Sequence, residues 1–130
     1  MTEPVWIPRA VIEYIHFEQI QVHGGTHGLR DEAALESALA HPKNKWEYQE
    51  GVDLSLLAAA YGYGLAKGHP FLDGNKRVAL MAMYVFLGTN GMELDADEAE
   101  AVGIILDLAR GEVTEDSLAK WVRSRITAWQ

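Results

Sequence analysis

The sequence predicts an all-α fold: a compact six-helix bundle around a central buried apolar helix, with at most a very small β-hairpin. Three observations carry that expectation. Apolar residues recur at three- and four-residue spacing along most of the chain, and no segment of ordinary strand length alternates strictly between apolar and polar. The stretch from Val78 to Leu87 is apolar without interruption and lies between turn signals, the composition of a helix buried on every side.

Pro8 opens the first helix, which runs to about Val22 on a partial stripe of Val11, Ile12, Ile15 and Ile20 and ends at Gly24-Gly25. A shorter helix over 31–40 starts near Asp31, carries Ala34, Leu35, Ala38 and Leu39 at helical spacing, and is stopped by Pro42 after His41. The stretch 42–52 loses the period and reads as a loop, with a hairpin or extended piece near 46–50. Asp53 caps a third helix reaching about Lys67, with Leu54, Leu57, Ala58, Tyr61 and Leu65 on one face. Gly62 and Gly64 each cost about 1 kcal/mol there relative to alanine, which points to a close neighbour, to a ligand, or to relief of crowding. The fourth helix, about 75–89, is the apolar one, and Asn90-Gly91 ends it before a possible extended piece at 92–94. Asp95 and Glu98 have capping-box spacing for a fifth helix with a Val102, Ile105, Leu106 and Ala109 stripe, closed by Gly111. A sixth begins at Thr114 and aligns Leu118, Trp121, Val122, Ile126 and Trp129.

A chain of 130 residues is expected to form a single domain able to bury a core without staples. With no cysteine, disulfides and thiolate metal sites are excluded. The first residues have no basic stretch followed by an apolar one, and the longest apolar run is about half of the ~20 residues a membrane span needs, so a cytoplasmic protein is expected. A formal charge of −8 disfavours binding to a nucleic-acid backbone. The acidic clusters at 93–100 and 112–116 read as helix N-termini and solvated faces, or as an attraction for a basic partner.

The segment GHPFLDGNKR at 68–77 concentrates the chemistry. It places a base, a carboxylate, turn residues and two cations just ahead of a helix, whose first N–H groups and dipole attract anions. His69 is a natural general base toward an attacking hydroxyl, or else a satisfied histidine at a helix end. Asp73 offers one hard oxygen ligand, which suits Mg²⁺, and is also open to an N-capping role. Gly74, Asn75 and Lys76 offer backbone N–H groups to a phosphate; Lys76 supplies a point charge and Arg77 a two-pronged fork. Phe71 reads as a core anchor for the loop.

The residues His69 to Arg77 resemble the Fic/Doc motif, in the lysine form of the Doc (death-on-curing) toxins of type II toxin–antitoxin systems rather than the longer pattern HPFx[D/E]GNGRxxR of adenylyl-transferring Fic enzymes. The similarity extends to chain length, to the segment from Gly28 to Leu39, and to the apolar helix ended by Asn90-Gly91. Lys76 stands where the second glycine of GNG would be, and Leu80 where the second arginine would be. The resemblance implies a Fic/Doc-like bundle in which ATP presents its γ-phosphate, not its α-phosphate, to His69, so that a protein hydroxyl is phosphorylated. It further implies translation elongation factor Tu as the target, arrest of protein synthesis and growth, and neutralisation by a Phd-type antitoxin. Carried onto this chain, it makes His69 the base, Asp73 the Mg²⁺ ligand, and Gly74, Asn75, Lys76 and Arg77 the phosphate cradle. Lys67 becomes a further phosphate contact or simply the cationic end of the third helix. The loop 43–50 becomes a flap beside the target, with Trp46 and Tyr48 positioning substrate or merely packing. Three other readings stand beside this one: AMP transfer, a metal-dependent hydrolase using His16, His23, His27 and His41, and a non-catalytic groove for a partner's helix.

Overall fold

The computed structural model describes residues 1–129, with six helices and one two-stranded antiparallel sheet. Helix α1 (Arg9–His23) follows Pro8 at its N-cap, as its fixed φ favours. Helix α2 is Glu32–Tyr48, α3 is Leu54–Gly68 and α4 is Asn75–Thr89. Strand β1 (Met92–Leu94) leads to α5 (Glu98–Ala109) and α6 (Glu115–Arg125), after which β2 (Ile126–Ala128) pairs back on β1 with Leu94 opposite Ile126. Asp31, Asp53 and Thr114 each cap their helix by accepting a backbone N–H three residues on, at 2.9–3.0 Å.

The centre of the bundle is the α3–α4 pair, whose mutual packing is the most extensive between any two elements. The apolar α4 is buried as expected, but α3 is the helix that touches α2, α4, α5 and α6. Its glycines explain how. A Cβ on Gly62 would lie 2.5 Å from the Met83 sulfur of α4, and one on Gly64 would lie 3.2 Å from the Ala38 backbone of α2, so close neighbours rather than a ligand occupy those positions. Tyr61, fully buried, accepts the Ile7 N–H at 3.0 Å, and Asn90 brackets the Val5 backbone, tying the N-terminal segment over the core.

Three sequence expectations are corrected. Helix α2 does not stop at Pro42 but continues to Tyr48, so no loop begins at 42 and no hairpin forms near 46–50. Pro42 is buried, Trp46 packs on the core, and His41 and Lys45 both reach Glu115 of α6, at 2.9 and 3.1 Å. These tertiary contacts outweigh the donor lost and the kink imposed by proline. The Asp95–Glu98 capping box does not form, because the Asp95 N–H instead bonds the Arg125 carbonyl at 2.8 Å and extends the β pairing. For the same reason Ile126 and Trp129 leave the α6 stripe: the chain is extended there, and the Trp129 N–H bonds the Gly91 carbonyl. Among the described residues no helix is long and apolar enough to cross a membrane.

Candidate active site

The loop between α3 and α4 is built by two sets of restraints, one at each end. At the α3 end, His69 takes the left-handed conformation, φ 49° and ψ 54°, the one non-glycine among the described residues with positive φ. Such a backbone costs roughly 1–3 kcal/mol and persists only where neighbours over-determine it. Arg30 supplies the restraint: Nε donates to the His69 carbonyl at 2.6 Å and Nη2 to the Gly68 carbonyl at 3.1 Å, satisfying the open end of α3. The Arg30 and Asp31 N–H groups both bond the Pro70 carbonyl, and the Leu72 N–H bonds the Gly28 carbonyl. Residues 28–31 therefore run as a ribbon along 70–72, anchored where Asp31 starts α2.

At the α4 end, Asn75 is buried and its amide closes a turn on Phe71, accepting the Phe71 N–H and donating to the Phe71 carbonyl, both at 3.0 Å. The Asn75 side chain is thereby committed to the turn, and its backbone N–H, at a helix start that no side chain caps, is left to face a ligand. Gly74 has φ 78°, and a Cβ there would lie 3.1 Å from Ile20 Cδ1. The Asp73 carboxylate accepts the Gly74 N–H at 2.9 Å and the Thr26 N–H at 3.2 Å. A Cβ on Gly25 would lie 2.6 Å from the Asp73 carboxylate, so that approach needs glycine. His16 of α1 is buried, stacks on Phe71 with ring centres 3.9 Å apart, and sits with Nε2 2.9 Å from the Asp73 carbonyl. A carbonyl only accepts, so Nε2 carries the proton. Burial pushes the His16 pKa down against the pull of that hydrogen bond, with His27 nearby adding to the depression, which fits a neutral ring.

The loop and the first turn of α4 line one side of a cleft of about 510 Å³, within the range of small-molecule sites. His69, Asp73, Gly74, Lys76 and Arg77 line this side; Leu80 joins Val102, Ile105 and Leu106 of α5 in an apolar wall. Lys76 and Arg77 are exposed, and among the described residues neither makes an ion pair. No side chain caps the start of α4, so the first-turn N–H groups and the two cations face the cleft together.

The structure thus unites His69, Asp73, Gly74, Asn75, Lys76 and Arg77, and leaves three sequence candidates outside. Lys67 borders shallower grooves against α2 and the α5–α6 junction. Trp46 and Tyr48 ride on the last turns of α2, Trp46 half-buried on the core and Tyr48 exposed, and neither lines the cleft. Of the other histidines, His27 stands edge-on to His16 with ring centres 6.5 Å apart and bonds Gln21, while His41 is elsewhere and bonds Glu115. Among the described residues no three His, Asp or Glu side chains are grouped to hold a metal, which removes the basis for the histidine-site hydrolase. Sequence reasoning missed Arg30 and the Gly25-Thr26 turn, and it offered His16 only as a metal ligand, not as a partner of the Asp73 main chain. The only signal for the turn was its run of glycines, and the α5 stripe carries no sign in the sequence that Val102, Ile105 and Leu106 wall the cleft.

A family model described as the Fic/DOC family matches residues 6–87. The chain is 32% identical over 109 residues to "Protein kinase doc" of Escherichia phage P1, covering 84% of this chain and 86% of that protein. It is 36% identical over 102 residues to "Toxin Doc" of Mycolicibacterium smegmatis, covering 74% of this chain and 76% of that protein.

Proposed function

This chain belongs to the Fic/Doc family and is of the Doc toxin type, and from that premise we propose that it is a protein kinase that transfers the γ-phosphate of ATP to a protein hydroxyl. The observation that carries the reading is the pairing of Lys76 with Leu80. Leu80 is buried in an apolar wall with Val102, Ile105 and Leu106, which offers no ligand to phosphates lying in that direction. Positive charge is instead concentrated in the first turn of α4, at Lys76 and Arg77, on the side of the cleft that holds His69. That arrangement supports a pose in which the terminal phosphate, not the α-phosphate, lies toward His69. The similarity to a relative named as a protein kinase supports the same choice.

In this reading His69, exposed at the loop, takes the proton from a serine or threonine hydroxyl as its oxygen bonds to the γ-phosphorus. The bond from that phosphorus to the β–γ bridging oxygen breaks and ADP leaves. Lys76 stabilises charge on the transferring group, Arg77 grips phosphate oxygens, and the N–H groups of Asn75 and Lys76 hold the rest of the chain of phosphates, while the Gly74 N–H stays on the Asp73 carboxylate. Asp73 is suited to Mg²⁺, since each of its oxygens accepts one N–H and keeps capacity for another ligand, and Mg²⁺ typically takes only one or two carboxylates. When bound, the metal neutralises phosphate charge. Translation elongation factor Tu as the acceptor, a Phd-type antitoxin as the neutralising partner, and action in the cytoplasm complete the proposal.

The test is transfer from ATP labelled at the γ or, separately, the α position into protein of a bacterial extract. Label from the γ position alone is expected. Incorporation of the α label would replace phosphorylation with AMP transfer, and absence of nucleotide binding by the free protein would favour a non-catalytic helix-binding groove.

A further inference from the structure

Helix α1 contributes no lining to the cleft, yet it reaches the catalytic loop through two side chains one turn apart, His16 and Ile20. Ile20 Cδ1 fills the space against Gly25 and Gly74. His16 does something a core side chain does not: 4% exposed, it donates a proton from Nε2 to the main-chain carbonyl of Asp73 while its ring lies flat on Phe71, 7° from parallel. A phenylalanine would fill that space and stack equally well, so packing does not account for the imidazole. The carbonyl it holds belongs to the residue whose carboxylate is pinned between the Thr26 and Gly74 N–H groups at the cleft edge.

We propose that His16 is a positioning residue for the catalytic loop, holding the Asp73 main chain so that its carboxylate stays fixed between Thr26 and Gly74. The loop is otherwise held at this end by the Asn75 turn, which fixes Phe71 but leaves residues 72–73 to the Leu72–Gly28 bond and to His16. Without the His16 donor, the Asp73 carbonyl turns to water, and the carboxylate loses its registration with both N–H groups. The consequence for metal–nucleotide binding rests on the phosphotransfer reading; the positioning itself does not.

Two substitutions separate its parts. His16→Phe keeps the ring and removes the donor, whereas His16→Gln places an amide N–H near the position of Nε2 and removes the stack. Amide hydrogen exchange by NMR is read at Thr26 and Gly74, together with Mn²⁺·ATP binding by electron paramagnetic resonance. In His16→Phe, exchange at those two amides should accelerate roughly three- to tenfold while core amides of α3 and α4 stay as in the wild type, and Mn²⁺·ATP affinity should fall by a similar factor. His16→Gln should restore most of both. Unchanged exchange at Thr26 and Gly74 in His16→Phe overturns the proposal, as does acceleration spread evenly over α3 and α4 in both variants, which marks a core histidine only. If the exchange pattern appears but Asp73→Ala binds Mn²⁺·ATP as tightly as the wild type, the positioning stands and the metal-ligand reading falls.

Discussion

The chain contains His-Pro twice, at 41–42 and at 69–70, each time after a helical run rich in alanine and leucine, and the two have opposite fates. At 41–42 the helix runs on for another turn and a half; at 69–70 it stops, with His69 turned into the left-handed region. The difference is in the partners. His41 and Lys45 reach across to Glu115, and Pro42 is buried, so continuing the helix gathers contacts that stopping it would lose. At the second site Gly68 precedes the histidine, Arg30 takes the carbonyls of Gly68 and His69, and the Pro70 carbonyl is claimed by the ribbon at 30–31. The dipeptide supplies a histidine beside a rigid turn; tertiary hydrogen bonds decide whether that histidine is structural or displayed.

The comparison breaks most completely at the histidines themselves. His69→Ala is expected to lower phosphotransfer by about 10²–10⁴-fold with the protein still folded, the range for loss of a general base. His41→Ala should leave the rate within about twofold and cost at most about 1–2 kcal/mol of stability through its half-buried bond to Glu115. The measurements are steady-state phosphorylation and denaturant unfolding of the two purified variants. Equal activity losses in the two would mean that the second His-Pro is not distinguished by display, and the assignment of His69 as base would go with it.

Arg30 tests the partner rather than the histidine. Arg30→Ala leaves the carbonyls of Gly68 and His69 without their donors and removes what holds a strained backbone. A fall in kcat of about tenfold is expected, with the KM for ATP within about twofold, because the base loses its orientation while the phosphate cradle at the other end of the loop is untouched. Arg30→Lys, which has no planar fork, should recover only part of the loss. A rise in KM with kcat intact would show that Arg30 serves the nucleotide and not the base.

This contrast also explains what was legible in the sequence. Helix existence and most caps were, because Asp31, Asp53 and Thr114 act on N–H groups three residues away. The cleft side from His69 to Arg77 was as well, since one loop and one helix start hold all of it. Pro42 was misread because the local rule is sound and the contacts that override it come from α6, more than seventy residues on. Arg30 and His16 escaped for the same reason, acting on partners 39 and 57 positions away. The Asp95–Glu98 spacing misled because the strand partner of Asp95 lies at the far end of the chain.

The smallest expected effects separate the two regions by pH. His16, beneath the loop at 69–74, has its pKa held below the ordinary 6.5 mainly by burial. Below pH 6.5 the unfolded state therefore binds a proton that the folded state resists, and stability falls as the pH drops from there. Glu115, beneath the Pro42 segment, is a carboxyl that burial alone would raise, but the hydrogen bonds and charge of His41 and Lys45 leave it below the ordinary 4.5. Its contribution is present above pH 4.5 and is lost only as the pH falls through its lowered folded value. Denaturant unfolding in metal-free buffer between pH 7 and 3 should show both losses. His16→Phe should flatten the change that sets in below pH 6.5, and Glu115→Gln only the part below 4.5. If the upper step survives in His16→Phe, the neutral ring beneath Asp73 is not its source, and acid sensitivity would no longer distinguish the displayed His-Pro from the buried one.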